Sequence, residues 1–294
     1  MKPVSQTTLA WRKICHEKWV DSWQERLLWL GLERLVITQL GGSKSVRLEI
    51  YDVTGSEAAV LKKEFGGEIR NLNRSTADWV KSIVQKKPIP IRGKLRIVNR
   101  DPEPAETADA DIIYVPAGLA FGTGEHATTA GCLRLLCDII GRRPGGWSFL
   151  DVGTGTGILA LAAVKLGAGQ VHAFDADAVA VRTAKQNSRL NGLSKKVRIW
   201  RQDILQFEPE STYDVIAANL YSVLLRQALP RLVKSGSHRS LFIFSGILRD
   251  QAAEVKDWLK RSALEVKEAR SRGKWTTLLA QQKHGHKINL PTPA

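Results

Sequence analysis

Hydrophobic positions fall into two regimes along the 294-residue chain. Up to about residue 72, short strand-like runs are interleaved with helix-spaced ones. Thr7 to Ile14 reads as a strand. Glu17 to Leu30 reads as an amphipathic helix with Val20, Trp23, Leu27 and Leu30 on one face and Gly31 at its end. Arg34 to Leu40 is the next strand, and Gly41-Gly42-Ser43 a turn. Val46, Leu48 and Ile50 then alternate with polar residues in a further strand. Ser56 to Phe65 reads as a second helix, closed by Gly66-Gly67, and Glu68 to Leu72 as a last strand. The order βαββαβ is that of the ferredoxin-like motif, which by itself names no function.

From Trp147 onward strand and helix alternate. Strands are predicted at Phe149–Val152, Val171–Asp175, Val197–Trp200, Val215–Ala218 and Leu241–Phe244, and helices at Ile158–Leu166 and Ala178–Leu190. This alternation predicts an α/β domain, a doubly wound, mostly parallel sheet covered on both faces. Leu264–Ala269 and Trp275–Ala280 flank Ser271-Arg272-Gly273-Lys274 and predict a closing hairpin. Between the regimes lie a predicted helix at Thr76–Val84, Pro88 and Pro90, short strands at Leu95–Val98 and Ile112–Val115, and an acidic, proline-broken loop, Asp101–Glu106. The expected organisation is a small domain over 1–74, a linking helix and strands over 75–115, an α/β domain over 116–280 and a disordered tail over 281–294.

Composition narrows the class. Hydrophobic residues make up 43% and charged residues 25%, which suits a folded globular chain. No apolar run is long enough to span a membrane, and charges interrupt the first thirty residues where a secretory signal would need an apolar block. The three cysteines, Cys15, Cys132 and Cys137, fit neither a disulfide framework nor a zinc pair and read as free thiols in a reducing cytoplasm. The net charge of +15 is spread along the chain, with +5 over 1–110, +8 over 111–280 and +2 over the tail. It predicts a general attraction to polyanions such as ribosomal RNA, rather than a basic recognition arm.

The sharpest chemical signal is Asp151-Val152-Gly153-Thr154-Gly155-Thr156-Gly157, between the first strand and first helix of the alternating region. Glycines there permit positive φ and let a ligand approach the backbone, and the following helix aims free N–H groups at it. A Walker loop needs Gly-Lys-Ser/Thr after the turn, but Gly157-Ile158-Leu159 follows. A dinucleotide fingerprint needs Gly or Ala where Ile158 stands. Asp151 suits a ligand with positive charge, such as the ammonium of a methionine moiety. Asp175 ends the second strand 22 residues after Gly153, placed to accept hydrogen bonds from ribose hydroxyls. Together they favour S-adenosylmethionine. Asp203, after the third strand, is a candidate for the adenine amino group or simply a loop cap.

Ahead of the sheet lies Phe121-Gly122-Thr123-Gly124-Glu125-His126-Ala127-Thr128-Thr129. It resembles the F-G-T-G-x-H-x-T-T signature of the PrmA family, which methylates protein eleven of the large ribosomal subunit at the stalk base. Asp151–Gly157, Ala217-Ala218-Asn219-Leu220 and Gly246-Ile247-Leu248 resemble further family motifs, so the likeness covers most of 76–280. It implies a class I S-adenosylmethionine-dependent methyltransferase fold with a ferredoxin-like substrate-recognition domain. It also implies donor contacts at Thr129, Gly153, Gly155, Asp175 and Asn219, with Phe121 and Thr123 lining the pocket. His126 could touch ligand or substrate, or sit at a helix start. The chain departs from the family at Thr154-Gly155-Thr156, where Cys-Gly-Ser is usual, and at Leu220-Tyr221-Ser222. Tyr221 would place a phenol near the acceptor.

Methyl transfer from a sulfonium is an in-line displacement that needs no metal but does need a neutral amine, held about 3 Å from the methyl carbon. At pH 7 only ~4 in 10,000 unperturbed lysines are neutral, worth roughly 4.6 kcal/mol, whereas an α-amine costs only about 1–1.4 kcal/mol. Asn219 is assigned the catalytic role of accepting a hydrogen bond from the amine and aiming its lone pair. Two other readings remain open from the residues. A base methyltransferase would typically carry N-P-P-Y or D-P-P-Y where Asn219-Leu220-Tyr221-Ser222 stands. A noncatalytic ribosome-binding module would not require the glycine turn and Asp175.

Overall fold

The computed structural model describes residues 8–20, 23, 26–30, 34–40, 44–72, 88–103, 110–116, 120–141 and 145–283. The chain divides into two compact units, Met1–Ser82 and Ile83–Ala294.

In the first unit, β1 (Thr8–His16), β2 (Leu35–Gln39), β3 (Ser45–Val53) and β4 (Glu68–Leu72) form an antiparallel sheet in the order β2-β3-β1-β4. This central placing of β1 and β3 matches the strand arrangement that the βαββαβ reading predicts. The predicted helix at Glu17–Leu30 has 3₁₀ turns at its two ends. Glu17–Trp19 and Leu28–Leu30 are 3₁₀ turns, with Val20, Trp23 and Arg26 helical between them. Its apolar face is as expected, because Leu27 and Leu30 are buried with Trp11, Leu48 and Ile50. The second helix, α1 (Gly55–Val60), starts at a capping box. Thr54 accepts from the Glu57 N–H, and Glu57 accepts from the Thr54 N–H. One π turn, Leu61–Phe65, carries it to Gly66. The predicted helix at Thr76–Val84 lies outside the described residues.

The second unit opens with a three-stranded sheet of β5 (Ile89–Ile91), β6 (Leu95–Val98) and β7 (Ile112–Tyr114). Residues 88–116 therefore do more than link. Ile91, Leu95, Ile97 and Ile113 are buried in the same cluster as α2 (Ala127–Ile140). The main sheet has seven strands, β8 (Ser148–Val152), β9 (Gln170–Asp175), β10 (Val197–Arg201), β11 (Val215–Asn219), β12 (Leu241–Leu248), β13 (Leu264–Arg272) and β14 (Trp275–Gln282). Their order is β10-β9-β8-β11-β12-β14-β13, and all run parallel except β14, which is antiparallel to both of its neighbours β12 and β13. With α2, α3 (Ile158–Lys165) and α4 (Ala178–Leu190) in one hydrophobic cluster and α5 (Ser222–Lys234) and α6 (Ala252–Arg261) in another, both faces of the sheet are covered. This is the doubly wound arrangement with a terminal hairpin read from the sequence.

The hairpin extends two residues into the predicted tail, since β14 ends at Gln282 and the Lys283 N–H donates to the Ala263 carbonyl. The rest of the tail lies outside the described residues. Cys132 and Cys137 are free and buried, and burial pushes their thiols up to about 12 and about 11. Among the described residues, no helix is long and apolar enough to cross a membrane.

Candidate active site

The sheet reverses its strand order between β8 and β11, and ligands of open α/β sheets bind at the carboxyl ends of strands at such a point. The end of β8 is Asp151-Val152, followed by the glycine turn. Gly153, Gly155 and Gly157 all have positive φ, at +69°, +55° and +83°. At Gly155 the conformation leaves no alternative. A Cβ there would come within 2.3 Å of the Phe121 carbonyl oxygen, a backbone atom. That carbonyl accepts from the Thr156 N–H at 3.0 Å, and the Thr156 hydroxyl donates to the Gly122 carbonyl at 2.5 Å. The loop carrying Phe121 and Thr123 is thus stitched to the turn by backbone and hydroxyl bonds.

The acid at the end of β9 joins the same turn. Asp175 Oδ2 accepts from the Gly155 N–H and Oδ1 from the Asp177 N–H, each at 3.0 Å. An ionised carboxylate accepts more than two hydrogen bonds, so capacity remains for sugar hydroxyls. The Gln202 N–H donates to the Asp175 carbonyl at 2.9 Å, which brings Asp203 beside Asp175. Asp203 itself caps the 3₁₀ turn Ile204–Gln206, its Oδ1 accepting from the Leu205 N–H.

Asp151 lies beneath the turn and is fully buried. Its Oδ2 accepts from the Thr154 hydroxyl at 2.6 Å and from the Ala160 N–H at 3.2 Å, while Oδ1 is buried without a partner. Desolvation raises its pKa to about 7, with the Asp175 charge adding to the rise. Thr154 and Thr156, where the chain departs from the family's usual residues, each use their hydroxyl to hold the turn.

On the other side, α2 begins at His126. Its Nδ1 accepts from the Thr128 N–H and lies 2.7 Å from the Thr128 hydroxyl. Because Nδ1 accepts that N–H, the imidazole carries its hydrogen on Nε2 and the hydroxyl donates to Nδ1, while accepting from the side-chain amide of Asn219 at 3.3 Å. Burial lowers the His126 pKa, which favours that neutral form. The His126 ring makes edge contacts with Phe121 and Trp275, at centroid distances of 5.0 and 5.3 Å. Thr129 is buried, and its hydroxyl has no hydrogen-bond partner. At the end of β11, Leu220 packs so closely over Gly153 that a Cβ there would approach it to 2.7 Å. Phe121, whose ring packs against His126, is 57% exposed, and Tyr221, which precedes α5, is 74% exposed.

The structure therefore gathers Phe121, Gly153, Gly155, Asp175 and Asp203 around one turn, and Thr128, Thr129 and Asn219 around the start of α2. Sequence reasoning missed three residues that fix these pieces. Asn99 is buried and donates to the carbonyls of Thr123 and Val115, at 2.8 and 3.1 Å. Asn187 donates to the Thr156 carbonyl at 2.9 Å. Thr128 was hidden beside Thr129 in the same motif. An Asn directly after the strand β6, and another on the apolar side of α4, were the signals available.

A parallel sheet with the glycine turn after β8, an acid at the end of β9 and Asn219 at the end of β11 defines a class I S-adenosylmethionine-dependent methyltransferase. The family model for ribosomal protein L11 methyltransferase (PrmA) matches residues 44–283, and the chain belongs to that family. A ribosomal protein L11 methyltransferase of Exiguobacterium sp. is 35% identical over 74% of this chain and 68% of that protein. One of Pelotomaculum thermopropionicum is 35% identical over 82% of this chain and 77% of that protein. The crystal structure of ribosomal protein L11 methylase from Lactobacillus delbrueckii subsp. bulgaricus superposes with a TM-score of 0.59 and 31% identity, covering 68% of this chain and all of that one. The chain is an S-adenosylmethionine-dependent protein methyltransferase.

The residues present fit that donor. Of the buried oxygens without a partner among the described residues, Asp151 Oδ1 and Thr129 Oγ1 belong to this turn and to the start of α2, and the close approach of backbone at Gly155 leaves a cradle without side chains. An acceptor carboxylate suits an ammonium, and a hydroxyl suits either an ammonium or a carboxylate.

Proposed function

We propose that this methyltransferase acts in the cytoplasm on amines of ribosomal protein L11, on lysine side chains, the N-terminal α-amine or both. The observation that carries this reading is the orientation of Asn219. Its amide nitrogen is spent on Thr128, so Oδ1 is the end left to accept a hydrogen bond from an incoming amine. A base held by stacking would instead call for the prolines absent after Asn219. The names of the relatives support the choice of protein.

In this reading Gly153, Gly155, Thr129, Asp175 and Asn219 hold the donor, with Asp203 at the adenine and Phe121 and Thr123 along the wall. Bound S-adenosylmethionine supplies an electrophilic methyl group. Asn219 Oδ1 accepts an N–H of the amine and turns its lone pair toward that group. Thr128 and His126 fix the amide, and the half-buried rings of His126 and Trp275 beside it reduce its hydration, which favours the neutral amine. Solvent takes the amine's proton. The basic surface adds a weak attraction to ribosomal RNA.

The test is intact-mass analysis of isolated L11 after incubation with enzyme and S-adenosylmethionine, with Asp175→Ala as control. Steps of one methyl on L11, lost in the control, are expected. Transfer to a different ribosomal protein would overturn the choice of substrate, and transfer only to RNA would overturn the reading.

A further inference from the structure

One cavity lies outside the donor site. It has a volume of about 250 Å³ and sits between α2 and the β13–β14 hairpin. Its wall is formed by Ala127, Gly131 and Arg134, on one face of α2, and by hairpin residues that include Arg270, Arg272, Trp275 and Thr277. Three guanidiniums, hydroxyls and an indole line it, and among the described residues no carboxylate does.

The arginines are not equivalent. Arg270 is neutralised by Glu268 and Asp138, and Asp138 also pairs with Arg92. Arg134 and Arg272 have no ion-pair partner among the described residues, although each lies close enough to matter to the other. Burial, Arg272 and Arg92 hold the Arg134 guanidinium below its ordinary value. Arg134 is half-buried and Arg272 exposed, so solvent screens part of their repulsion, and an anion entering between them removes the remainder.

The position suggests which anion. Trp275 is shared, lining this cavity and touching the His126 ring, whose Nδ1 is bonded to the Thr128 hydroxyl that holds Asn219. An occupant therefore lies beside the acceptor side of the methyl-transfer site. A nucleic-acid backbone would need successive cations leading away from the cavity. Here the flanking Arg270 and Arg92 are already paired, and Glu265 and Glu268 lie along the same hairpin strand. One carboxylate-bearing side chain fits the volume and can take bidentate bonds from a guanidinium.

Resting on the reading of a protein amine as acceptor, we infer that Arg134 and Arg272 form a specificity subsite for an aspartate or glutamate side chain of the substrate protein close to the methylated amine. The enzyme thereby selects amines by their acidic neighbours.

The test uses the full chain, S-adenosylmethionine and blocked peptides with a single lysine. Each peptide carries Asp, or Asn in the control, at one to three residues on either side. At the preferred position Asp raises kcat/KM about tenfold over Asn, mostly through KM, as expected for a charged hydrogen bond. In Arg134→Gln/Arg272→Gln the ratio falls to about 1, while the paired Lys variant keeps part of it. Donor affinity and melting temperature report whether the variant is folded. Equal rates on Asp and Asn peptides, or a preference that survives the double Gln variant, would overturn the subsite. Absence of transfer to any peptide and to L11, with the donor still bound, would strike the protein-methylation reading instead. Anisotropy of a fluorescein-labelled Asp peptide then decides the subsite, because a tenfold weaker Kd in the Gln variant sustains it and an unchanged Kd removes it. Competition by an RNA hairpin that depends on both arginines, without any Asp–Asn difference, would replace the carboxylate by a phosphate and overturn the inference.

Discussion

The side-chain amide of Asn219, at the end of β11, donates to the hydroxyl of Thr128 on the first turn of α2, 3.3 Å away and 91 positions earlier in the chain. In the proposed reaction this bond decides which end of the amide meets the substrate. Asn219→Ala is expected to lower kcat by about 10²-fold through loss of amine orientation, with a much smaller loss of donor affinity. Single-turnover rates beside donor titration by calorimetry make the comparison. Equal losses in both would remove the orienting role.

Thr128 acts through Asn219 and is a positioning residue. Thr128→Val keeps the shape, removes the hydroxyl and frees the amide to flip. The prediction is a fall in kcat at nearly constant KM for the donor, with recovery in Thr128→Ser, which restores the hydroxyl. Rescue by Ser separates positioning from packing, since a purely structural role would be served better by Val.

Asp151 predicts two pH dependences. Its folded pKa of about 7 exceeds its ordinary value of 3.8, so the folded chain binds more protons than the unfolded one in between. The associated stability is fully present below about pH 4 and is lost as pH rises toward about 7. Asp151→Asn should flatten that part of a urea-denaturation series measured across the window. A cationic donor beside Oδ1 favours the ionised acid, so donor affinity in the native protein should rise with pH up to about 7. Calorimetry at several pH values checks this, and a flat profile in the native protein would mean that Asp151 does not face the donor's charge.

Gly155→Ala places a methyl group against the Phe121 carbonyl oxygen at a φ that L-residues rarely adopt. The expected destabilisation is about 1–3 kcal/mol, together with loss of donor binding as the turn separates from the loop. A thermal melt with and without S-adenosylmethionine reads both. Undiminished stabilisation by the donor would show that the turn tolerates the displacement.

Much of this protein was legible in its residues because its information is local. The strand–helix alternation from Phe149, the three positive-φ glycines and the acid at Asp175 follow from hydrophobic period, backbone sterics and fixed spacing along one βαβ unit. The 3₁₀ ends of the helix at Glu17–Leu30 were not legible, because the apolar spacing marks the face of a helix and not how its first and last turns close. The inclusion of residues 88–116 in the larger unit was also hidden. Short strands such as Ile89–Ile91 take their partners from packing against distant α2.

The sequence alone determined the sheet, the glycine turn after its first strand and the places of Asp175 and Asn219 at strand ends, since periodicity and turn geometry depend on neighbours within a few residues. Only the tertiary structure decided that Thr128 holds Asn219, that Asn99 and Asn187 tie the loop and the turn, and that Arg134 and Arg272 share one cavity. Each of these joins residues far apart in the chain, and such pairings depend on how buried polar groups and charges find partners after the sheet has closed, which no local spacing encodes.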